Sequence, residues 1–317
     1  MTRYVLGRVL SAAIVLALLS IIVFAMVRLI PGDPAAALVD PANPDPEAIA
    51  QIRQQLGLDR PWWVQYFTWI GGLLTGDLGE SLTKPYSVAE MVGTRLPVSI
   101  ELAVLATVFG VLIGIPAGVL SARRTNGVAD QSVRGFSFAF LATPPFALGT
   151  VLILVNSLTL KLKLIGYVPF AQDPAGNLGV MVLPSLLLGL VMAAIIARYM
   201  RGTLLGTFSQ DFIRTARAKG ATPSRVINRH ALRNALVPVT TIVGIELAGL
   251  VGGTVVTETV FSLPGIGTVL VDAIRSSDYP VIQACVLLLG LVYVVINFVV
   301  DLLYPLIDPR VRVVATA

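Results

Sequence analysis

Charged residues are scarce in this chain of 317 residues: Asp, Glu, Lys and Arg make up 13% of it, against about 25% in an ordinary globular protein. Hydrophobic residues make up 56%. A surface in contact with water needs more charge, so the composition excludes a soluble globular domain. So much apolar content also excludes an intrinsically disordered chain. The chain is predicted to lie in a membrane.

Cysteine and histidine are nearly absent, with one residue of each type, Cys285 and His230. A single cysteine cannot form a disulfide within the chain, and its apolar surroundings favour a buried, unreactive thiol. One His and one Cys also exclude most metal sites that are built from these ligands. The Gly-x4-Gly-Lys-Ser/Thr loop that holds nucleotide phosphates is missing as well. We therefore expect no enzyme activity and no cofactor in this chain.

Long uncharged runs are abundant. A membrane helix needs about 20 largely apolar residues, because it crosses about 30 Å of hydrocarbon at 1.5 Å per residue. Six runs, of which only 234–257 is interrupted by a charge (Glu246), are long enough and predict an all-α polytopic protein with six transmembrane helices, at 9–27, 102–122, 135–160, 174–197, 234–257 and 279–300. The shorter run 61–76 carries all 3 tryptophans and predicts a helix lying at the headgroup level.

Basic residues set the expected orientation. Six spans place both termini on one side of the membrane, and Lys and Arg are concentrated on that side, above all in segment 198–233. Basic residues near helix ends tend to stay in the cytoplasm. We therefore expect a multi-pass protein of the cytoplasmic (inner) membrane with both termini in the cytoplasm. The net charge of +5 reflects this orientation, so nucleic acid is not an expected partner.

The chain divides into four predicted parts: a transmembrane helix at 1–30, an extracytoplasmic segment at 31–97, a five-helix core at 98–308 and a cytoplasmic tail at 309–317. The extracytoplasmic segment is acidic and holds a short predicted helix, which Asp45 caps, Pro46 starts and Gly57 ends. This segment is interpreted as a helical cap over the membrane, with docking of an external protein as the functional alternative.

Segment 209–238, within the cytoplasmic part, predicts two short helices that meet at a fixed turn. Ser209 is placed to cap the first helix, whose basic end precedes Gly220 in a position that favours positive φ. Thr222 is placed to cap the second helix, with Pro223 as its first residue. The orientation of the chain in the membrane explains why this segment is basic, but it does not explain two helix caps next to each other. A rigid elbow at this position indicates that a separate protein moves the membrane helices through it.

The same segment resembles the cytoplasmic "EAA" loop of binding-protein-dependent ABC importer permeases. Ala216 and Gly220 match the loop, whereas Arg214 and Thr215 stand in the places of its Glu and first Ala. The sequence TARAKG…RHALRNALVP is more similar to the dipeptide/oligopeptide/nickel class of these permeases. Further stretches along nearly the whole chain are similar to that class: RLIPGDPA (28–35), LGLDRPWWVQY (56–66), GDLGESL (76–82), ETVFSLPGIG (258–267) and DLLYPLIDPRVR (301–312).

The resemblance implies the type I ABC importer transmembrane fold and a half-channel that works with other chains. Implied partners are a homologous second permease subunit, two ATP-binding subunits carrying ATP and Mg²⁺, an extracytoplasmic substrate-binding protein and membrane lipid. The elbow would contact an ATPase subunit through the matching positions and their neighbours: Arg214, Thr215, Ala216, Arg217, Ala218, Lys219, Gly220, Ala221, Thr222 and Arg225. Ala216 and Ala218 are small enough to let a partner approach closely.

Glu246 is the one ionisable residue deep within a predicted span, where a charged carboxylate costs at least about 2.5 kcal/mol. It should therefore face a polar cavity or be protonated. Gly249 and Gly253 follow on the same face and leave a groove, so we expect these three residues to line the substrate path. A neutral carboxyl bonded between helices is the alternative. Glu258, which begins the ETVFSLPGIG stretch, is expected at an external gate or rim.

Two further patterns concern packing within the membrane. Gly110, Gly114 and Gly118 recur every four residues and predict close approach of another helix along that face. Pro144 and Pro145 remove backbone donors and predict a kink in the third span, which either gates a path or only shapes the packing.

The function that the resemblance implies is a pore-forming permease subunit of an ATP-driven importer of short peptides (di-/oligopeptides). Nickel, glutathione and oligosaccharides are the alternative substrates within the class. An ion-coupled secondary transporter is the alternative from a different class. Such transporters usually carry inverted repeats and several ionisable groups at the midplane, where this chain has only Glu246. A scaffold or sensor would leave that residue and the glycine groove unexplained.

Overall fold

The computed structural model describes residues 2–29, 35, 39, 45–55 and 57–307. Regular structure in this part of the chain is helical, apart from one antiparallel bridge between Glu80 and Ser87. The helices are α1 (Thr2–Leu29), α2 (Pro46–Gln55), α3 (Trp62–Thr75), α4 (Val88–Arg123), α5 (Val128–Ala142), α6 (Pro145–Leu158), α7 (Pro174–Phe208), α8 (Asp211–Ala218), α9 (Pro223–Arg225), α10 (Leu232–Gly253), α11 (Val255–Phe261), α12 (Ile266–Arg275) and α13 (Tyr279–Ile307). A π-helical turn, Val226–Ala231, joins α9 to α10.

The described helices provide five to seven candidate membrane spans. Five are single helices or continuous helical runs: α1, α4, α7, Pro223–Gly253 and α13. Two more are bent pairs: α5 with α6, at 90°, and α11 with α12, at 92°. The six predicted spans fall within this range, and the kink predicted at Pro144 and Pro145 is confirmed as the break between α5 and α6. The bent pair after α10 was not predicted.

Several predicted span boundaries differ from the observed helices. The second span was expected to begin at 102, whereas α4 begins at Val88 and is 36 residues long. The fourth was expected to end at 197, whereas α7 continues to Phe208. A helix of this length exceeds the hydrocarbon thickness, so its ends carry charges into the headgroups and beyond. Counting uncharged residues therefore finds the membrane core of these helices but not their ends.

The first and last spans pack against each other in antiparallel directions. Arg8 of α1 forms an ion pair with Asp301 of α13 at 3.1 Å, and Gly290 of α13 lies against Leu19 in the middle of α1. The two ends of the described chain therefore lie at the same end of this helix pair. The tail predicted at 309–317, most of RLIPGDPA and the end of DLLYPLIDPRVR lie outside the described residues.

Helix α3 lies beside the end of α1 through aromatic contacts. Phe24 meets Tyr66 edge to face, with ring centroids 5.2 Å apart, and Trp69 at 5.8 Å. The Tyr66 and Ser20 hydroxyls are 2.9 Å apart. Trp62 and Trp63 remain exposed. Exposed indole rings on a short apolar helix are typical of the membrane interface.

The predicted caps of the extracytoplasmic segment are present where the structure describes it. The backbone N–H of Glu47 donates to Asp45 Oδ1 at 3.0 Å, and Pro46 is the first residue of α2. Gly57 has φ +63°, as expected for the residue that turns the chain away from a helix end.

The glycine face of α4 forms the closest helix–helix contact. A Cβ added at Gly110 or Gly114 would come within 2.8 Å of atoms of α7, and one at Gly118 would lie 2.6 Å from Met200 Cβ and 2.7 Å from the carbonyl oxygen of Ala197. On the other helix, Gly189 lies against Phe109 and the backbone of α4. The predicted packing role of the glycine face is therefore confirmed.

Gly118→Ala is expected to lower the unfolding free energy by about 1–3 kcal/mol, because its methyl group would overlap the backbone of α7. Unfolding of the purified protein in mixed detergent micelles measures the change. Gly93→Ala is the matched control, since Gly93 lies on the same helix and has nothing within 4 Å of the added Cβ. Equal stability of the two variants would contradict the close contact.

Candidate functional site

The elbow predicted after the fourth span consists of α8, a tight turn and the start of a long helix. Gln210 is the N-cap residue of α8, and Asp211 lies in its first turn near the positive end of the helix dipole. The predicted cap by Ser209 is wrong. Its hydroxyl points back and donates to the Gly206 carbonyl at 2.8 Å, because α7 extends to the preceding residue, Phe208.

The turn itself has the predicted geometry. Gly220 has φ +79°, and the Ala221 N–H donates to the Ala216 carbonyl at 3.1 Å, which is the bond pattern of a glycine-terminated helix. Thr222 Oγ1 accepts the N–H of Arg225, and Pro223 is the first residue of the next helix. These two caps are confirmed, and they leave the turn with little conformational freedom.

The second helix of the elbow is continuous with the fifth predicted span. Helical structure runs from Pro223 to Gly253 without interruption, through the π-helical turn Val226–Ala231 that contains half-buried His230. The second elbow helix and the membrane helix therefore form one continuous helical run. A side-chain contact also ties this run to α4, since Arg123 donates to Asn228 Oδ1 at 3.3 Å.

One face of α8 is buried against the rest of the chain. Ile213 and Ala216 join an apolar cluster with Leu204 of α7 and with Val226 and Ala231 of the second elbow helix. This corrects the expectation that Ala216 offers a small surface to a partner, because its side chain is occupied by this packing. The periodicity of α8, which places residues 213 and 216 on one face, could have indicated this.

The opposite face of the elbow is open and basic. Arg214 is exposed, with only a loose pair to Asp211 at 3.5 Å, and Arg217, Ala218 and Lys219 are exposed beside it. Of the remaining predicted coupling residues, Thr215, Gly220, Thr222 and Arg225 are exposed and Ala221 is half-buried. The structure thus brings nine of the ten predicted positions to an accessible or half-accessible surface.

An ion pair between α5 and α7 was missed by the sequence reasoning. Asp130 of α5 is fully buried and accepts bonds from Arg201 Nε at 2.7 Å and Arg201 Nη2 at 2.9 Å. It also accepts bonds from the Ser121 hydroxyl and the Asn126 backbone N–H. The pair clamps the α4–α5 connection to α7. Its sequence signal was one acidic residue in the otherwise basic segment 123–134.

Glu246 and the glycines of α10 lie on an incompletely covered face of that helix. The Glu246 side chain is half-buried, whereas Gly249 and Gly253 are exposed, with nothing within 4 Å of an added Cβ. The opposite side of α10 is packed, with Gly244 against Val300 of α13. The face of α10 that bears Glu246 is therefore uncovered in the described part of the chain, and its role as a substrate path stays a prediction.

Glu258 occupies the centre of a buried hydrogen-bond cluster. Its Oε1 accepts bonds from the hydroxyls of Ser99 at 2.6 Å and Thr254 at 2.8 Å. Its Oε2 accepts bonds from the backbone N–H groups of Gly267 at 3.0 Å and Thr268 at 3.2 Å, at the start of α12. The carboxylate thus caps α12 and ties the bent pair α11–α12 to α4.

This arrangement corrects the expected position of Glu258. The side chain is 0% exposed, so it does not line an open gate or rim. Gly265 and Gly267 let the α12 backbone reach the carboxylate, since a Cβ at either position would overlap it. The glycines of the ETVFSLPGIG stretch are therefore explained by this contact.

The loop after α6 closes over the same end of the molecule. Tyr167 donates its hydroxyl proton to Glu101 Oε2 at 3.0 Å, and the Gly166 N–H donates to the Phe261 carbonyl. Burial raises the pKa of Tyr167 to about 12, and the hydrogen bond to Glu101 adds to the shift. The phenol therefore remains a hydrogen-bond donor throughout the physiological pH range.

The described residues contain no group of three or more His, Cys, Asp or Glu side chains placed to hold a metal ion. The features that stand out in the described part of the chain are a capped basic elbow, the long helix that follows it and an uncovered helix face with one carboxyl group.

Comparison with known families gives two matches that together span nearly the whole chain. The family "Binding-protein-dependent transport system inner membrane component" matches residues 114–313. The family "Binding-prot-dependent transport system membrane comp, N-term" matches residues 1–103.

Known proteins are similar over the same length. The chain is 41% identical to the "Probable peptide ABC transporter permease protein y4tP" of Sinorhizobium fredii, covering 98% of this chain and 99% of that protein. It is 39% identical to the glutathione transport system permease protein GsiC of Escherichia coli, with the same coverage. It is 38% identical to the di/tripeptide transport system permease protein DppB of Pseudomonas aeruginosa, covering 92% of this chain and 94% of that protein.

A solved structure shares the fold. The inward-facing MetNI methionine ABC transporter contains a chain that matches with a TM-score of 0.56 and 21% identity, covering 69% of this chain and 96% of that one. The all-helical fold expected from the sequence is thereby confirmed as that of an ABC importer permease.

Glu258→Gln is expected to lower the unfolding free energy by about 2 kcal/mol, because an amide nitrogen would face N–H and O–H donors that now bond a carboxylate. Unfolding in mixed detergent micelles measures the loss. The control is Glu90→Gln, at an exposed position of α4, which should stay within about 0.5 kcal/mol of wild type. An unchanged midpoint for Glu258→Gln would contradict the structural role assigned to its carboxylate.

Proposed function

We propose, from the premise that this chain belongs to the family of binding-protein-dependent transport system inner membrane components, that it is the pore-forming permease subunit of an ATP-driven importer of short peptides. Peptides are the first choice of substrate because similar proteins are named for peptides, di/tripeptides and glutathione, itself a short peptide. Nickel and oligosaccharides remain the alternatives to be tested.

The observation that carries the mechanism is the continuity of the elbow with a membrane helix. The basic helix α8 leads through the capped turn into a helical run from Pro223 to Gly253, which bears Glu246. A displacement applied to the elbow is therefore expected to move the Glu246 face of α10, because the helical structure between them is uninterrupted. Such a unit can favour one of two helix arrangements when a partner holds it differently in each.

ATP hydrolysis is assigned to partner chains. The sequence contains no phosphate-binding loop, and the open face of the elbow offers exposed cations for an acidic groove on another subunit. We propose two ATP-binding subunits that carry ATP and Mg²⁺, a second permease homologous to this chain, and an extracytoplasmic substrate-binding protein docking over segment 31–97. None of these roles requires a cofactor bound to this chain.

The proposed orientation places the elbow in the cytoplasm. The basic segment 198–233 and the two chain ends, which share one side of the membrane, follow the positive-inside rule. In this orientation the Glu258 cluster and the loop around Tyr167 lie toward the external side, while the Asp130–Arg201 pair lies toward the cytoplasm. Substrate would pass from the external end to the cytoplasmic end along the face of Glu246, Gly249 and Gly253.

Uptake of labelled peptides tests the assignment of substrate. A strain lacking the transport system should lose uptake of dipeptides and tripeptides, and restoring the whole system should recover it, whereas nickel uptake should not change. Recovery of nickel or oligosaccharide uptake without peptide uptake would replace the proposed substrate. Transport by the purified chain alone under an ion gradient would overturn the assignment to an ATP-driven importer.

The same uptake assay tests the path assigned to Glu246. Glu246→Gln should slow uptake of peptides with a free amino terminus more than uptake of their N-acetylated forms, because only the former carry an ammonium group that a carboxylate attracts. Glu90→Gln, at the exposed start of α4, is the control. Equal uptake of every peptide by wild type and Glu246→Gln would remove this residue from the path.

Gly220 tests the rigidity of the elbow. Valine at φ +79° costs about 1–2 kcal/mol of backbone strain, and asparagine costs less because it adopts this region more readily. Open space surrounds Gly220, so any effect comes from the backbone. Gly220→Val should reduce uptake and substrate-stimulated ATP hydrolysis about fivefold or more, corresponding to at least about 1 kcal/mol of strain, with Gly220→Asn between it and wild type.

The control for this series is Gly93→Val, in which the same substitution is made at an open helical position outside the elbow. Its uptake should match that of wild type. Wild-type uptake by Gly220→Val, or by a variant with a flexible Gly-Ser segment in place of the turn, would show that the elbow does not transmit the movement.

A further inference from the structure

An open cavity of about 880 Å³ lies between α5 and α7, away from the face of α10 that bears Glu246. One stripe of α5 forms most of its wall, from Gln131 and Arg134 through Phe138 to Leu141, and Arg198 of α7 lies on the other side. Phe138 is 77% exposed. Within the described residues nothing covers this wall.

Two more arginines lie at one level of the cavity, next to the Asp130–Arg201 pair. Helices α5 and α7 run in opposite directions, so Arg134 on α5 and Arg198 on α7 are each one helical turn further into the membrane than the pair. Asp130 already accepts bonds from Arg201, from a hydroxyl and from a backbone N–H. In the described part of the chain no carboxylate pairs with either cavity arginine.

A second, independent feature of the cavity is an unsatisfied hydroxyl. Ser137, also in the cavity wall, is 1% exposed, and its Oγ has no hydrogen-bond partner in the described residues. A buried hydroxyl without a partner costs free energy of about 1–3 kcal/mol, so it indicates a missing acceptor or donor. Two guanidinium groups without a carboxylate partner therefore face the cavity, and an unpaired hydroxyl is buried in its wall.

We infer that this cavity binds an anionic phospholipid. The side chains along α5 change from polar to apolar in the same order as the parts of a lipid in a bilayer leaflet. Gln131 and Arg134 lie near the helix end, at the level of a headgroup, and Phe138 and Leu141 lie deeper in the membrane, at the level of the acyl chains. A phosphate at the arginine level would receive bonds from Arg134 and Arg198, while an acyl chain follows the apolar side chains. Basic pockets between transmembrane helices on the cytoplasmic side are suited to such headgroups.

Lipid retention by the full chain, purified with its partner subunits, tests this site. The complex is placed in nanodiscs containing dioleoylphosphatidylglycerol or dioleoylphosphatidylcholine, and native mass spectrometry counts the retained lipid. Arg134→Gln and Arg198→Gln should each weaken phosphatidylglycerol binding about fivefold, and the double variant about 25-fold. Phosphatidylcholine retention should be low in every protein. Replacing both arginines by lysine should restore part of the binding, because lysine keeps the positive charge.

Arg124→Gln is the matched control, because it removes one positive charge from an exposed position outside the cavity and should leave retention unchanged. Ser137→Ala, which keeps both arginines, should weaken phosphatidylglycerol binding by about twofold to fivefold. This variant tests the site if the double arginine variant fails to assemble. Equal phosphatidylglycerol retention by wild type and these variants would overturn the proposal. The proposal would also be overturned if the variants retained lipid normally but lost uptake of peptides with a free carboxylate selectively. That result would assign the cavity to substrate.

Discussion

Close packing of α4 against α7 is the contact on which the rest of the structure depends. Inside a bilayer no hydrophobic effect draws helices together, so the glycine face from Gly110 to Gly118 supplies the contact that large side chains would prevent. Both buried polar clusters are anchored on this pair of helices. Ser99 of α4 bonds Glu258 at one end, and Arg201 of α7 holds Asp130 at the other. The bent elements are thereby held on a rigid pair.

The elbow gains its stiffness from the same frame. Ile213 and Ala216 bury one face of α8 against α7, and the caps at Gly220 and Thr222 leave the turn few alternative conformations. The other face stays exposed and basic. An amphipathic helix of this kind has one side packed on its own chain and one side open, which is the arrangement that the proposed coupling to a partner subunit requires.

Polar groups in the membrane region fall into two kinds. Glu258 and Asp130 are fully buried and accept several hydrogen bonds each, so their carboxylates stabilise the fold and have no capacity left for a ligand. Glu246 lies on an uncovered face of α10, and Arg134 with Arg198 face an open cavity. Groups of this second kind are expensive to keep in a membrane without a partner, which is why we assign them to substrate and lipid.

Local features of the sequence were enough to locate the apolar parts of the six predicted spans, the caps at Gly220 and Thr222, the glycine contact and the break at Pro144, because each depends on residues a few positions apart. The positions of buried polar groups were decided only by the tertiary structure. Glu258 meets Ser99 across 159 residues, and Arg201 meets Asp130 across 71. Sequence reasoning therefore placed Glu258 at a rim and gave Ala216 to a partner, since no local pattern shows what a distant helix will cover.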